Sequence, residues 1–185
     1  MQPADITQIL NSYQTGQPEL MEQLFPIVYH ELRRTAHNQL KHAWSVDTIC
    51  TTALVNEAYI KLVNNQKSLP TSRAHFFAIA ATAMHQILIN YAEQKTAQKR
   101  GRDWKQVTSD EAVLKAEFDI ETLLDIDKAL DQIKELDEEL ARLVELRFFA
   151  GMTDNEIAQL FRITDRTVRR NWVKAKALLA QALQP

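Results

Sequence analysis

The sequence predicts an all-α protein of two small helical domains joined by a linker. Three observations carry that expectation. Glycine occurs three times in 185 residues, at Gly16, Gly101 and Gly151, which leaves almost nothing for the positive-φ positions of tight hairpins. Apolar residues recur every third or fourth position through long segments, the period of one helix face. The few prolines agree: Pro18 and Pro26 stand where helices can begin, Pro70 lies in a polar stretch, and Pro3 and Pro185 are terminal. A chain of this length can bury a core as one domain or as two.

Taken in order, Leu20, Leu24, Val28, Leu32, Ala36 and Leu40 form the first stripe, with Pro26 expected to open a new helix rather than sit inside one. Thr51 to Val63 places Leu54, Ala58 and Leu62 on one face and pairs Glu57 with Lys61 at i,i+4 on another. The string NNQKSLPTSR then reads as a loop. Ala74 to Glu93 is so rich in alanine and aromatics that a helix buried on most sides is expected, with Phe76 and Phe77 as packing residues. From Gly101 to Ile120 the periodicity weakens. Beyond it, Ile126, Leu130, Ile133, Leu136, Leu140, Leu143 and Leu146 form one stripe that ends near Gly151. The expected division is therefore 1–100, a linker at 101–121, and 122–185. Trp44, Trp104 and Trp172 have no cage-like spacing and read as packing residues.

The net charge of -2 conceals a pattern. Lys95, Lys99, Arg100, Arg102 and Lys105 stand against Asp103 alone. Asp110, Glu111, Glu117, Asp119, Glu121, Asp125 and Asp127 follow against Lys115, and then Arg162, Arg166, Arg169, Arg170, Lys174 and Lys176 face only Asp165. Two cationic surfaces flanking an anionic connector suit two contacts with one polyanion, because phosphate attraction depends on local charge. Other classes find little support. The longest uncharged apolar run, near Phe76 to Met84, is far short of the roughly 20 residues that span a bilayer, so no membrane role is expected. The opening MQPADITQIL lacks a secretion signal, and Cys50 is the only cysteine, which rules out an intramolecular disulfide and a multi-thiolate zinc site and places the protein in the cytoplasm. YHELRR begins like a zinc-protease motif, but Arg34 occupies the second histidine's place, and His37, His42, His75 and His85 show no partner spacing. No glycine-rich phosphate loop occurs. Neither an enzyme, nor a metal, nor a cofactor is expected.

The sharpest signal is TDNEIAQLFRITDRTVRRNWVKAKALL. Thr153 can cap a short helix holding Ile157, Ala158 and Leu160, with Glu156 closing a capping box. A corner follows at Arg162 and Ile163, where helix-turn-helix units often carry glycine. Thr164 caps a second helix that turns Val168, Trp172, Ala175 and Leu179 inward and Arg166, Arg169, Arg170 and Lys174 outward. Such a helix enters the major groove, where arginine forks donate twin hydrogen bonds to guanine and lysines neutralise phosphates. The plainer alternative is a helical hairpin with a solvated basic face.

On these residues the chain resembles the extracytoplasmic-function group of bacterial sigma factors over nearly its whole length. The C-terminal motif is similar to their fourth conserved region, which reads the upstream promoter element; LFPIVYHELRRTA, TALVNEAYIKLV and FFAIAATAMHQILINYAEQKTAQKRG resemble their second. The resemblance implies a region 2 bundle that binds the polymerase clamp through Leu54, Glu57 and Lys61 and melts the downstream element through His85, Asn90, Tyr91, Lys95, Lys99 and Arg100. It also implies an acidic linker threading through polymerase and a region 4 that meets the β flap and reads DNA with Arg166, Arg169, Arg170 and Lys174. RNA polymerase core and promoter DNA are the implied partners, with an anti-sigma factor as a further one.

Where most such proteins carry acidic residues before the clamp-binding helix, this chain reads Cys50, Thr51, Thr52, Ala53. It is similar there to a subgroup with a TALVNEAY-type signature linked to Ser/Thr protein kinases, which implies phosphorylation of Thr52, or of Thr51, as the source of the missing charge. The competing reading is that one of these threonines caps the helix. At the level of the whole chain, the alternative is a stand-alone helix-turn-helix regulator whose N-terminal helices serve dimerisation or sensing. The stop soon after the second basic helix leaves no room for an added sensory domain.

Overall fold

The computed structural model describes residues 6, 9–10, 18–43, 49–64, 70, 72–100 and 111–184, and the side chains of all of these except 18–22, 42–43, 98–100 and 111–119. The described residues form helices and connecting turns with no strand: α1 (Pro18–Ala43), α2 (Thr51–Asn64), α3 (Arg73–Arg100), α4 (Glu111–Leu136), α5 (Glu138–Val144), a π-helical turn (Glu145–Phe149), α6 (Asp154–Phe161) and α7 (Asp165–Ala182). None of these helices is long and apolar enough to cross a membrane. The expected all-α class is the one observed.

Two hydrophobic cores organise the chain. In the first, Leu24, Val28, Leu32 and Ala36 of α1 meet Leu54, Val55 and Ala58 of α2 and Phe76, Met84 and Leu88 of α3. Pro26 lies inside α1, contrary to the expected helix start. Its ring is exposed, so the loss is confined to one backbone bond and local crowding, about 3 kcal/mol. Continuing the stripe through Leu24, Val28 and Leu32, each at most 1% exposed, contributes roughly 1.5 to 3 kcal/mol per side chain, and the stripe wins. The helix α3 is buried on most sides as expected, and Ser72 caps its start by accepting the His75 N–H at 3.2 Å.

The second core gathers Leu130 and Ile133 of α4, Leu140, Leu143 and Val144 of α5, Leu146 and Phe149 of the π turn, Ile157 of α6, and Val168 and Ala175 of α7. The single stripe expected from Ile126 to Leu146 is broken at Asp137, whose φ of -158° leaves the helical region and whose side chain accepts the Leu140 N–H at 3.1 Å to start α5. The chain then widens into the π turn and reverses at Gly151, where φ is +65° and Met152 N–H reaches Leu146 O at 3.0 Å.

The helix α4 belongs to both cores, placing Ile120 and Leu123 in the first and Leu130 and Ile133 in the second. Its start lies within the expected linker; residues 101–110, Trp44, Trp104 and most of the expected loop at 64–73 lie outside the described residues. The two halves also meet directly, since α3 packs on α4 and on the π turn.

Candidate nucleic-acid interface

The helix-turn-helix is built from its caps inward. Thr153 Oγ1 accepts the Glu156 N–H at 3.3 Å, while Glu156 Oε2 accepts from Thr153 N and from Thr153 Oγ1, both at 2.8 Å, closing the reciprocal box and satisfying N–H groups that α6 would otherwise leave free. Helix α6 stops at Arg162, whose backbone is left-handed at φ 56°, ψ 41°, and Ile163 N–H folds back to Ala158 O at 3.0 Å. That conformation is the reason glycine is common at this corner. Thr164 then caps α7, accepting the Thr167 N–H at 3.2 Å.

The inward face of α7 is fixed by Val168 and Ala175, both 0% exposed, packed with Ile157 and Ala158 of α6. Trp172 is half-buried in the same core, with the Arg147 guanidinium 4.7 Å and the Lys176 ammonium 5.9 Å from its ring. The outward face carries Arg166, Arg169, Arg170 and Lys174, all exposed, and Val173 among them at 63% exposure. Arg169 is ion-paired with Asp165 one turn back and lies 3.5 Å from Asp154 Oδ2, while the other oxygen of that carboxylate, Oδ1, pairs with Arg147. Carboxylates thus steer one arginine of the face.

The second basic surface is the end of α3. Asn90 is exposed, Tyr91 is half-buried, and Lys95 Nζ sits 5.8 Å from the Tyr91 ring. Helix α3 continues to Arg100, so Lys99 and Arg100 occupy its last turn, where the helix dipole favours cations; their side chains lie outside the described residues. His85 is corrected by the structure. It is 5% exposed, its Nε2 is 2.9 Å from Asp127 Oδ1, and its ring stacks on Phe149, because α4 and the π turn cover this face of α3.

Helix α2 presents Glu57 and Lys61 to solvent, and Lys61 Nζ donates to Gln86 Oε1 at 3.0 Å. Leu54 is a second correction: at 0% exposure it packs into the first core and has no surface to offer a partner. Ile60, 58% exposed between Glu57 and Lys61, was missed by sequence reasoning, although an isoleucine off the buried stripe is a readable signal. At the start of α2, Leu54 N–H bonds Cys50 O at 3.1 Å and Ala53 N–H reaches Cys50 Sγ at 3.4 Å. Cys50 therefore holds the capping position, Thr51 is half-buried at the first helical position, and Thr52 is exposed at the second. Among the described residues no cluster of His, Cys, Asp and Glu could hold a metal.

A family model described as ECF sigma factor matches residues 3–185. The chain belongs to the ECF sigma factor family. No curated protein matches it. For an ECF sigma factor, the function is that of an alternative sigma factor in transcription initiation, with RNA polymerase core and promoter DNA as the interacting molecules.

Proposed function

We propose that this ECF sigma factor presents two cationic readers to one promoter while its first half docks on the polymerase clamp. The upstream reader is α7, with Arg166, Arg169, Arg170 and Lys174 entering the major groove. The downstream reader is the end of α3, with Asn90, Tyr91, Lys95, Lys99 and Arg100. Glu57 and Lys61, with Ile60 between them, form the clamp contact. The observation that carries this reading is the capped helix-turn-helix that turns four basic side chains to solvent. The chain performs no chemistry of its own and works in the cytoplasm.

Polymerase binding is switched, in this reading, by phosphorylation of Thr52 by a Ser/Thr kinase. Helix α2 has no acidic residue in its first turn, Thr52 is exposed there, and Cys50 already fills the capping role. A phosphothreonine would add about -1.5 to -2 charge at a helix start, where anions are favoured and where arginines of a partner can pair with it.

Run-off transcription with purified core enzyme tests both levels. Kinase-treated chain should initiate at a defined start, and Thr52→Ala should abolish the gain from kinase treatment. Duplex binding without initiation would support a stand-alone regulator instead. Undiminished promoter activity of Thr52→Ala in cells containing the kinase would remove the switch and leave the readers standing.

A further inference from the structure

Arg169 is held unlike its neighbours on the outward face of α7. The side chains of Arg166, Arg170 and Lys174 pair with no carboxylate among the described residues, whereas Arg169 lies between two. Its Nη2 pairs with Asp165 Oδ2, and its Nε lies 3.5 Å from Asp154 Oδ2. The two carboxylates belong to the first residues of different helices, Asp154 of α6 and Asp165 of α7. Asp154 is itself anchored through Oδ1 to Arg147 of the π turn, whose guanidinium lies 4.7 Å from the ring centroid of Trp172 in α7. Contacts thus run from the π turn through α6 to one side chain of α7.

A guanidinium carries five N–H donors in a rigid plane. Nε–H and one hydrogen of Nη2 lie along its side edge, while Nη1 and the other hydrogen of Nη2 form the outer fork. Both carboxylates face the side edge, so the outer fork is left for a ligand. Guanine offers the matching pair of acceptors, O6 and N7, in the major groove.

A phosphate contact would not be built this way. Two carboxylates cancel the attraction of one arginine for a polyanion and add repulsion of their own. Nor does the Arg169–Asp165 pair add much to stability, since its side chains are 64% and 43% exposed and ion pairs in water are weak. What the carboxylates supply is orientation. An arginine already fixed in place loses less side-chain freedom when it meets a base.

We propose that Asp154 and Asp165 are positioning residues that fix the outer fork of Arg169 toward one guanine of the upstream promoter element. The inference rests on the assignment of α7 as the upstream reader and names a base that it selects. Arg169 touches the base, and the two carboxylates act only through Arg169. Orientation and charge oppose each other here. Removing either carboxylate should loosen selection for guanine while strengthening attraction to DNA of any sequence.

The test mounts the full chain on core polymerase and lets it select templates from a promoter library with a randomised upstream element, the bound duplexes being sequenced. The parent should prefer guanine at one position, and Arg169→Lys, which keeps the charge and removes the fork, should lower that preference about tenfold. Asp154→Asn and Asp165→Asn should each lower it roughly threefold at the same position, and should raise binding to a duplex of unrelated sequence. In the Arg169→Lys background neither substitution should change the preference further. If Asp154→Asn melts lower because Arg147 loses its partner, Asp165→Asn, which leaves that pair intact, decides alone. A guanine preference untouched by the aspartate variants, or one that they still lower without Arg169, would overturn the positioning role. If Arg170→Ala shifts the selected sequence while Arg169→Lys leaves it unchanged, α7 remains the reader and the positioning of Arg169 falls alone. A parent that selects no base in that element would discard the promoter-reading proposal together with it.

Discussion

Arg162 is the only described residue other than glycine with a positive φ, and it holds the corner on which the aim of α7 depends. A side chain there clashes with its own carbonyl, at a cost of roughly 1 to 2 kcal/mol, while glycine adopts the same angles freely and loses part of that gain through greater unfolded-state freedom. Arg162→Gly should raise the stability of the chain by up to about 1 kcal/mol, seen as a higher melting temperature, with the helix content unchanged. An unchanged or lower melting temperature would mean that the Arg162 side chain contributes more than its backbone costs. On the outward face, Arg170→Ala should cost roughly 1 to 3 kcal/mol of discrimination at one base pair of the upstream element. Lys174→Ala should instead weaken binding to every duplex alike and lower the salt slope by about 1. Equal losses on all sequences for both variants would contradict the assignment. The caps Thr153, Glu156 and Thr164 were legible because their signal is local, a hydroxyl and a carboxylate at fixed spacing. The burial of Leu54 agrees with the apolar stripe of α2 rather than with a clamp contact, whereas that of His85 was not legible, because what covers a position is decided by helices distant in sequence, as Asp127 and Phe149 are from His85.

Caps decide the elements as much as stripes do. Thr153→Ala removes both the acceptor for Glu156 N–H and the hydroxyl that Glu156 holds in return, and should destabilise the C-terminal core by about 1 kcal/mol. A thermal melt at constant pH checks it, and Thr153→Ser should restore the loss. The sequence announced α6 and α7 nearly to the residue and misread α1 and α5 for one shared reason. Periodicity tells which face is buried and says little about continuity. At Pro26 the stripe continues through a residue that ought to stop it; at Asp137 it continues across a true break, although an aspartate followed by Glu138 and Glu139 is itself a helix-start signal.

At the scale of the whole molecule, two cores and the basic-acidic-basic charge order could be read from the sequence, whereas the seam between the halves could not. An apolar stripe does not name its partner, and the polar contacts of the seam leave no periodic trace. Glu145 stands in that seam, where burial pushes its carboxyl up against the opposing pull of His85, Lys134 and Arg142. With the folded value above the unfolded one, the folded chain holds the proton more tightly. Stability from this group is therefore full below the ordinary glutamate range and falls as pH rises through the raised value. Glu145→Gln should melt higher than the parent at neutral pH, with the difference vanishing on acidification below the ordinary range. A difference independent of pH would assign the effect to packing instead. The π turn beside Glu145 holds one residue more than an α turn needs for nearly the same rotation. Removing one residue from Glu145–Phe149 would restore regular pitch and leave the segments beyond it facing nearly as before, drawn in by about 1.5 Å. Both stripes, every cap and the arginines of α7 would survive such a deletion, and what would be lost is the bulge that lays Phe149 on His85.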